Sequence, residues 1–199
     1  MFGKKKIKIV IAVFVVLILG AGGVFWWQGR EIKGRPEDYV IKETAEGKIV
    51  ENKKAGLVVK VPEGWETKRM EQKEGGVMFY SPRTEIEWKE ESVVLLPLKN
   101  GCIIETSIIY EDMDFVDIKL DARYSLATLG SKSVEFEEIT ISNYPALRII
   151  FDTQKVGPGI AADIPKNDKV YTFNLMWGVS EKEDCMQEFD KFLETVSID

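Results

Sequence analysis

The sequence predicts an α+β protein, in which an N-terminal transmembrane helix precedes one domain of β-strands and two helices. Three observations predict this class. Residues 7–27 form an apolar run with a single charge. Beyond residue 47, short segments rich in β-branched and aromatic residues alternate with turns that contain Gly, Pro or Asn. Two segments, at 115–129 and after residue 180, carry helix start signals instead.

The run IKIVIAVFVVLILGAGGVFWW at 7–27 is long enough to cross a membrane. As a helix its 21 residues would extend ~31 Å, which matches the ~30 Å hydrocarbon core of a bilayer. Lysines flank its start (Lys4, Lys5, Lys6 and Lys8) and Trp26 and Trp27 close its end. The positive-inside rule therefore places a basic tail, residues 1–6, in the cytoplasm and the domain outside the cell membrane. A cleaved signal peptide is the alternative, although its apolar core usually has only ~7–15 residues.

Residues 28–46 differ from the segments on both sides. They are polar, contain Gly29, Gly34 and Pro36, and show little periodicity, which predicts a linker. The remaining residues, 47–199, have the length of a single domain and contain no internal repeat.

Apolar segments of the domain predict a series of strands. They lie at 49–50 and 57–61, as a hairpin, and at 77–80, 102–110, 134–141, 146–151 and 170–177. Several are apolar on both faces instead of alternating with polar residues. This pattern favours a sheet that is covered on both faces.

Two helices are available to cover such a sheet. Asp114 predicts the N-cap of a helix over 115–129, which Gly130 would end. Ser180 and Glu183 have the S-x-x-E spacing of a capping box at the start of a second helix. That helix has one apolar stripe, formed by Cys185, Phe189, Phe192, Leu193 and Val196. The stripe predicts that the helix docks lengthwise on the sheet.

The segments GLVVKVPEGWE at 56–66 and GGVMFYSP at 75–82 resemble the opening of PsbP-like domains. SNYPALRIIFDT at 142–153 is similar to their later hairpin, and KVYTFNLMW at 169–177 with the closing helix completes a pattern that covers about residues 47–199. The resemblance implies an α/β/α sandwich with a central antiparallel sheet, the fold shared with Mog-type Ran-binding proteins. It implies no function, because the histidines associated with cofactor retention in photosynthetic members have no counterpart here.

Composition excludes several classes of function. Residues 28–199 contain 23 basic and 33 acidic side chains, and this negative balance argues against nucleic-acid binding. The chain has no histidine, which excludes Ser-His-Asp and Cys-His nucleophiles and His-ligated metal sites. No serine is followed by lysine at the third position. We therefore predict no catalytic residue, no cofactor and no metal site.

The two cysteines are candidates for a disulfide. Cys102 begins a predicted strand, and Cys185 lies on the apolar stripe of the second helix. A domain outside the cytoplasm permits a bond between them. Two buried thiols that act as small apolar residues are the alternative.

Residues 155–168 are predicted to form a long loop between two strands. The segment contains Gly157, Pro158 and Gly159, followed by Ile160 and Ile164, which look exposed in such a loop. Long loops are often functional, and we predict that these five residues contact a partner protein.

Together these observations predict a single-pass, membrane-anchored extracytoplasmic protein with a non-catalytic binding or accessory domain. Its partners would be the lipid bilayer, through residues 7–27, and an envelope protein, as a subunit or assembly factor of an envelope complex. A carboxylate-dependent extracytoplasmic hydrolase is the alternative. A pocket with two or more buried acids would favour the hydrolase, and a filled core would favour the binding domain.

Overall fold

The computed structural model describes residues 35–70, 75–86, 98–155, 157–178 and 180–199. The chain divides into two units, residues 1–32 and 33–199, and the described residues all belong to the second. The predicted tail at 1–6 and transmembrane helix at 7–27 lie outside them. Within the described part of the chain, no helix has the length and apolar character needed to cross a membrane.

Strands dominate the described residues. The strands are β1 Tyr39–Thr44, β2 Gly47–Asn52, β3 Leu57–Lys60, β4 Glu66–Arg69, β5 Val77–Tyr80, β6 Glu85–Ile86, β7 Leu98–Asn100, β8 Cys102–Ile109, β9 Ser131–Ile141, β10 Tyr144–Thr153, β11 Gly157–Lys166, β12 Lys169–Trp177 and β13 Ser197–Ile198. The helices are α1 Phe115–Thr128 and α2 Lys182–Glu194, with a short 3₁₀ turn at Pro36–Asp38.

The largest sheet has seven strands in the order β4-β5-β8-β12-β11-β10-β9, and every neighbouring pair is antiparallel. Successive side chains of a strand point to opposite faces. On one face Phe79 and Phe173 pack against Phe192 of α2. On the other face Leu147 and neighbouring apolar side chains pack against α1. The predicted α+β class, with an antiparallel sheet buried on both faces, is confirmed.

A second sheet, in the order β1-β2-β3-β13, packs into the same core as α2. Its first strand corrects the predicted linker at 28–46, because β1 occupies Tyr39–Thr44 and pairs with β2. Tyr39 is fully buried. The segment looked like a linker because the polar end of β1 is exposed and only its first residues reach the core.

Strand β11 corrects the prediction of a loop at 155–168. It lies between β10 and β12, and Ile160 and Ile164 are 2% and 0% exposed, so neither can contact a partner. Gly159 is also buried, and a Cβ there would lie 2.4 Å from the ring of Phe151. Gly157 and Pro158 begin the strand beside the β10–β11 turn, and only Pro158 is exposed.

The helix signals are confirmed for α1 and corrected for α2. Asp114 accepts hydrogen bonds from the backbone N–H groups of Val116 and Asp117, and these bonds lower the pKa of its carboxyl. Gly130 follows α1 with φ +73°, the left-handed conformation expected after a helix end. Ser180 does not cap α2, because Glu181 occupies the N-cap position.

The side chain of Glu181 does not cap the backbone N–H groups of α2, because it bonds to other groups. Its carboxylate accepts a hydrogen bond from the backbone N–H of Gly101 and lies 3.6 Å from the guanidinium of Arg83. The apolar stripe of α2 is buried as predicted.

A disulfide joins Cys102, at the start of β8, to Cys185 in α2, with 5.6 Å between their Cα atoms. The two cysteines are 83 positions apart in the sequence. Both are buried on the face of the seven-stranded sheet that α2 covers. Of the two alternatives that the sequence left open, the structure therefore shows the bonded pair.

Candidate ligand cavity

A cavity of about 300 Å³ lies between α1 and the face of the large sheet that α1 partly covers. It exists because α1 packs on β9 and β10, at one side of the sheet, while β8 and β12 continue the same face beyond the helix. Apolar side chains make up most of its wall, including Met113, Ile118, Leu126, Phe151, Val170 and Met176. Exposed residues at its rim open it to solvent (Ile109, Asp121 and Ser125).

Four polar side chains line the sheet side of this cavity. In the strand register, Glu105 of β8 lies opposite Asn174 of β12, and Thr172 of β12 lies opposite Asp163 of β11. Thr172 and Asn174 are two residues apart, so both pairs face the same side of the sheet. All four residues line the cavity.

Asp163 is the most unusual group in the cavity. Its residue is only 8% exposed, and its Oδ1 atom has no hydrogen-bond partner among the described residues. Burial raises the pKa of its carboxyl to about 6, and the charge of Asp121 adds to the rise. The Thr172 hydroxyl, opposite Asp163 in the register, is near enough to offset part of this rise. The distance and angle between the two groups do not make a hydrogen bond, so Thr172 Oγ1 also lacks a partner within the described segments.

Glu105 is half-buried, and burial raises the pKa of its carboxyl too, while the Asn174 side chain partly lowers it. Strand spacing and rise place the Cα atoms of Glu105 and Asp163 about 12 Å apart. Neither carboxyl contributes to the pKa shift of the other. The two acids therefore do not form a pair that shares one proton.

The residues that the sequence singled out do not line this cavity. Cys102 and Cys185 lie on the opposite face of the sheet, and none of the five residues predicted for the 155–168 loop reaches it. Sequence reasoning missed Glu105 and Asp163. A signal for them does exist, since each is the one acidic residue within a run that is otherwise mostly apolar, CIIETSII and GIAADIP.

A larger cleft, of about 730 Å³, lies between the four-stranded sheet and α2. Side chains of both charges line it, among them Lys48, Lys60, Glu63 and Lys191. Among the residues that the structure describes, none of those lining this cleft carries a buried polar atom without a partner. Its mixed charges have the character of ordinary surface, so the cavity under α1 is the better candidate.

Comparisons with known proteins find structures that are similar to this chain, but they do not assign it to a family. No family model matches the chain, and no curated protein matches it either. The solution structure of cyanobacterial PsbP from Synechocystis sp. PCC 6803 is similar, with 13% identity, a TM-score of 0.49, and coverage of 86% of this chain and 96% of that one.

Two further structures are similar to the chain. A protein of unknown function from Pseudomonas aeruginosa, described as a putative regulator, has 10% identity and a TM-score of 0.48 over 81% of this chain and 97% of that one. LpqN of Mycobacterium tuberculosis, described as involved in cell envelope biogenesis, has 14% identity and a TM-score of 0.46 over 71% and 82%. One of these three similar structures is a PsbP protein, the family whose domains the sequence resembles, and the similarity concerns the fold alone.

Proposed function

We propose that this chain is a membrane-anchored extracytoplasmic binding protein whose domain holds a small, mainly apolar ligand in the cavity under α1. One observation carries the proposal: an apolar cavity contains a buried carboxyl whose Oδ1 has no partner among the described residues. Ligand sites are typically apolar clefts of about 300–1,000 Å³ with a few polar groups that orient the ligand. A buried polar atom without a partner is costly in a folded protein, and a ligand that bonds it would remove that cost.

The cavity residues support binding more than catalysis. Its described lining contains carboxyls, hydroxyls and one amide, with neither a cysteine nor a lysine to act as a nucleophile or base. Paired carboxylates in glycosidases stand about 5–9.5 Å apart, whereas neither Glu105 nor Asp163 contributes to the pKa shift of the other.

The hydrolase alternative keeps one specific observation in its favour. Two acids with raised pKa values, Glu105 and Asp163, line the same cavity, and raised pKa values are characteristic of general acids. The test is turnover: substoichiometric protein is incubated with envelope lipid and glycan extract, and released products are measured by mass spectrometry. Product release that disappears in both Glu105→Gln and Asp163→Asn would favour the hydrolase.

The anchor and its orientation are part of the proposal, and the lysines and tryptophans that flank residues 7–27 support them. We expect a protease added outside intact cells to remove the chain beyond about residue 30 from the cell-bound fraction. An N-terminal epitope tag should stay protected, and a cytoplasmic protein serves as the control for intact cells. Full protection of the domain would contradict the orientation.

Photoaffinity labelling tests whether the cavity binds a ligand. Full-length protein in zwitterionic lipid nanodiscs is illuminated with a medium-chain alkanol that carries a diazirine. We expect saturable labelling of peptides from α1 and β11, because these elements wall the cavity.

A matched pair of variants shows whether labelling occurs in the cavity. Ala122→Phe fills the cavity from α1 and should remove the saturable label, because Ala122 lines it. Ala127→Phe makes the same change at an exposed position of the same helix, outside the cavity lining, and should leave the label unchanged. Equal labelling of both variants, or labelling that never saturates, would contradict the binding proposal.

A further inference from the structure

We infer that the cavity selects an amphiphilic organic cation, whose protonated amine lies against Asp163 while its apolar body contacts the wall formed by α1 and the sheet. The inference rests on the proposed binding function and deepens it by naming the chemical class of the ligand. Three observations on the cavity support it: the sign of its charges, the unpartnered atoms at its sheet side, and the apolar character of its wall.

The charged residues of the cavity all have the same sign. Asp163 lies on β11, Glu105 on β8 and Asp121 at the rim on α1, and the described lining contains neither lysine nor arginine. An anionic ligand would meet only like charges in a site of low polarity, where repulsion is strong. A cation would instead be attracted from the rim inward, first by Asp121 and then by the buried carboxyl.

The unpartnered atoms fit an ammonium group. Asp163 is more than nine-tenths buried and lines the cavity, and its Oδ1 accepts no hydrogen bond from any described residue. Thr172, opposite it in the strand register, has an Oγ1 that is equally without a described partner. An ammonium has three donors and no acceptor, so it can donate to both oxygens and also compensate the negative charge of Asp163. An alcohol could bond the same two atoms, donating to one and accepting from the Thr172 hydroxyl, but it would leave that charge uncompensated, and a carboxylate has no donor.

The same cavity does not suit a bare metal ion. Metal sites in proteins group several oxygen, nitrogen or sulfur ligands around one point, and no three Cys, Asp or Glu residues in the described part of the chain are grouped closely enough to hold a metal. Most of the cavity wall is apolar and would contribute nothing to binding an ion. The geometry therefore points to a cation that also carries an apolar body.

The experiment compares three photoprobes with the same diazirine-bearing alkyl chain and a different end group: ammonium, hydroxyl or carboxylate. They are applied to full-length protein in zwitterionic nanodiscs at pH 7.5. We expect the ammonium probe to half-saturate the cavity peptides at a concentration at least ~10-fold below that of the hydroxyl probe, as one charge-assisted hydrogen bond predicts. The carboxylate probe should be the weakest.

Two variants and one change of pH assign the preference to Asp163. Asp163→Asn should remove the ammonium preference and keep saturable labelling by the hydroxyl probe. Asp152 lies on neighbouring β10 and outside the cavity lining. Asp152→Asn should therefore keep both the ammonium preference and the labelling by the hydroxyl probe. Since the carboxyl of Asp163 has a pKa of about 6 and the other charges lining the cavity are acidic, the preference should also fall at pH 5, where Asp163 is protonated.

The outcomes separate this inference from the binding function on which it rests. Equal, saturable labelling by the ammonium and hydroxyl probes would overturn the cation inference and leave the proposed function intact. An ammonium preference that persists in Asp163→Asn would overturn the assignment to Asp163. Absence of saturable labelling by all three probes would overturn both the inference and the proposed function.

Discussion

The double variant Cys102→Ala/Cys185→Ala is expected to lose about 4–5 kcal/mol of its free energy of unfolding. The bond closes a loop of 83 positions, and in the chain-entropy model a loop of this length restricts the unfolded chain by that amount. Both cysteines are buried in the core between α2 and the large sheet. Without the bond, α2 stays attached through its apolar stripe, surface ion pairs such as Arg148–Asp190 and the hydrogen bond from Gly101 to Glu181.

Urea unfolding of full-length protein in a mild detergent, followed by circular dichroism, measures this loss. With a denaturant slope of about 2 kcal/mol/M, the midpoint should fall by about 2 M. Reductant should lower the urea midpoint of the unaltered protein by a similar amount. It should leave the midpoint of the double variant unchanged, so the variant is the control for effects of reductant other than cleavage of the disulfide. Alkylation of two thiols in denaturant without reductant, or coincident unfolding curves, would contradict the prediction.

The parts of the fold that the sequence predicted well are those in which local pattern and burial agree. Strand β12 could be predicted because Tyr171, Phe173, Leu175 and Trp177 alternate along it and share one face, and α2 because one stripe from Cys185 to Val196 repeats at helical spacing. Both patterns report packing that the element makes along its whole length. Such patterns can be recognised from the local sequence, without knowledge of the elements that pack against it.

Strand β11 could not be predicted because its local signals contradict its surroundings. Gly157, Pro158 and Gly159 are turn formers in isolation, yet Gly159 is required where the ring of Phe151 approaches the strand. Strand β11 is buried because β10 and β12 pair with it on its two sides. This pairing forms only in the folded domain, so the residues of β11 alone do not reveal it.

The cavity was beyond sequence reasoning for the same reason. It depends on where α1 sits on the sheet, and that position follows from contacts with β9 and β10 that form only in the folded domain. Cys102 and Cys185 could be named as a possible pair, but only the position of α2 on the sheet brings their Cα atoms to 5.6 Å.

Asp163→Asn is expected to stabilise the domain at neutral pH by up to about 3 kcal/mol. In the native protein the carboxyl of Asp163 has a pKa of about 6, against an ordinary value of 3.8. Between these two values the folded chain keeps a proton that the unfolded chain has released, so stability falls as the pH rises. The difference corresponds to about 3 kcal/mol, lost between about pH 4 and pH 6. Asparagine has nearly the same shape and no charge, so the variant should not show this loss.

Denaturant unfolding of both proteins at pH 4, 5, 6 and 7.5 tests the sign as well as the size of the effect. The two curves should approach each other at pH 4, where Asp163 is largely protonated, and separate as the pH rises. Both proteins share every other carboxyl, so the difference between their curves reports on Asp163 and its interaction with Asp121. Asp121 lies at the exposed rim of the cavity, so Asp121→Asn should differ from the unaltered protein in free energy of unfolding by a much smaller amount, with the same sign. A variant that is less stable than the unaltered protein at pH 7.5 would contradict the burial argument.

The same variant connects stability to function. A buried carboxylate that destabilises its own domain, with no protein partner for Oδ1 in the described residues, is an arrangement that folding alone does not favour. If the charge is there to meet a cation, Asp163→Asn should gain stability and lose the preference for the ammonium probe together. A gain of stability with an unchanged probe preference would mean that the charge contributes nothing to the cavity, and the role assigned to Asp163 would then be wrong.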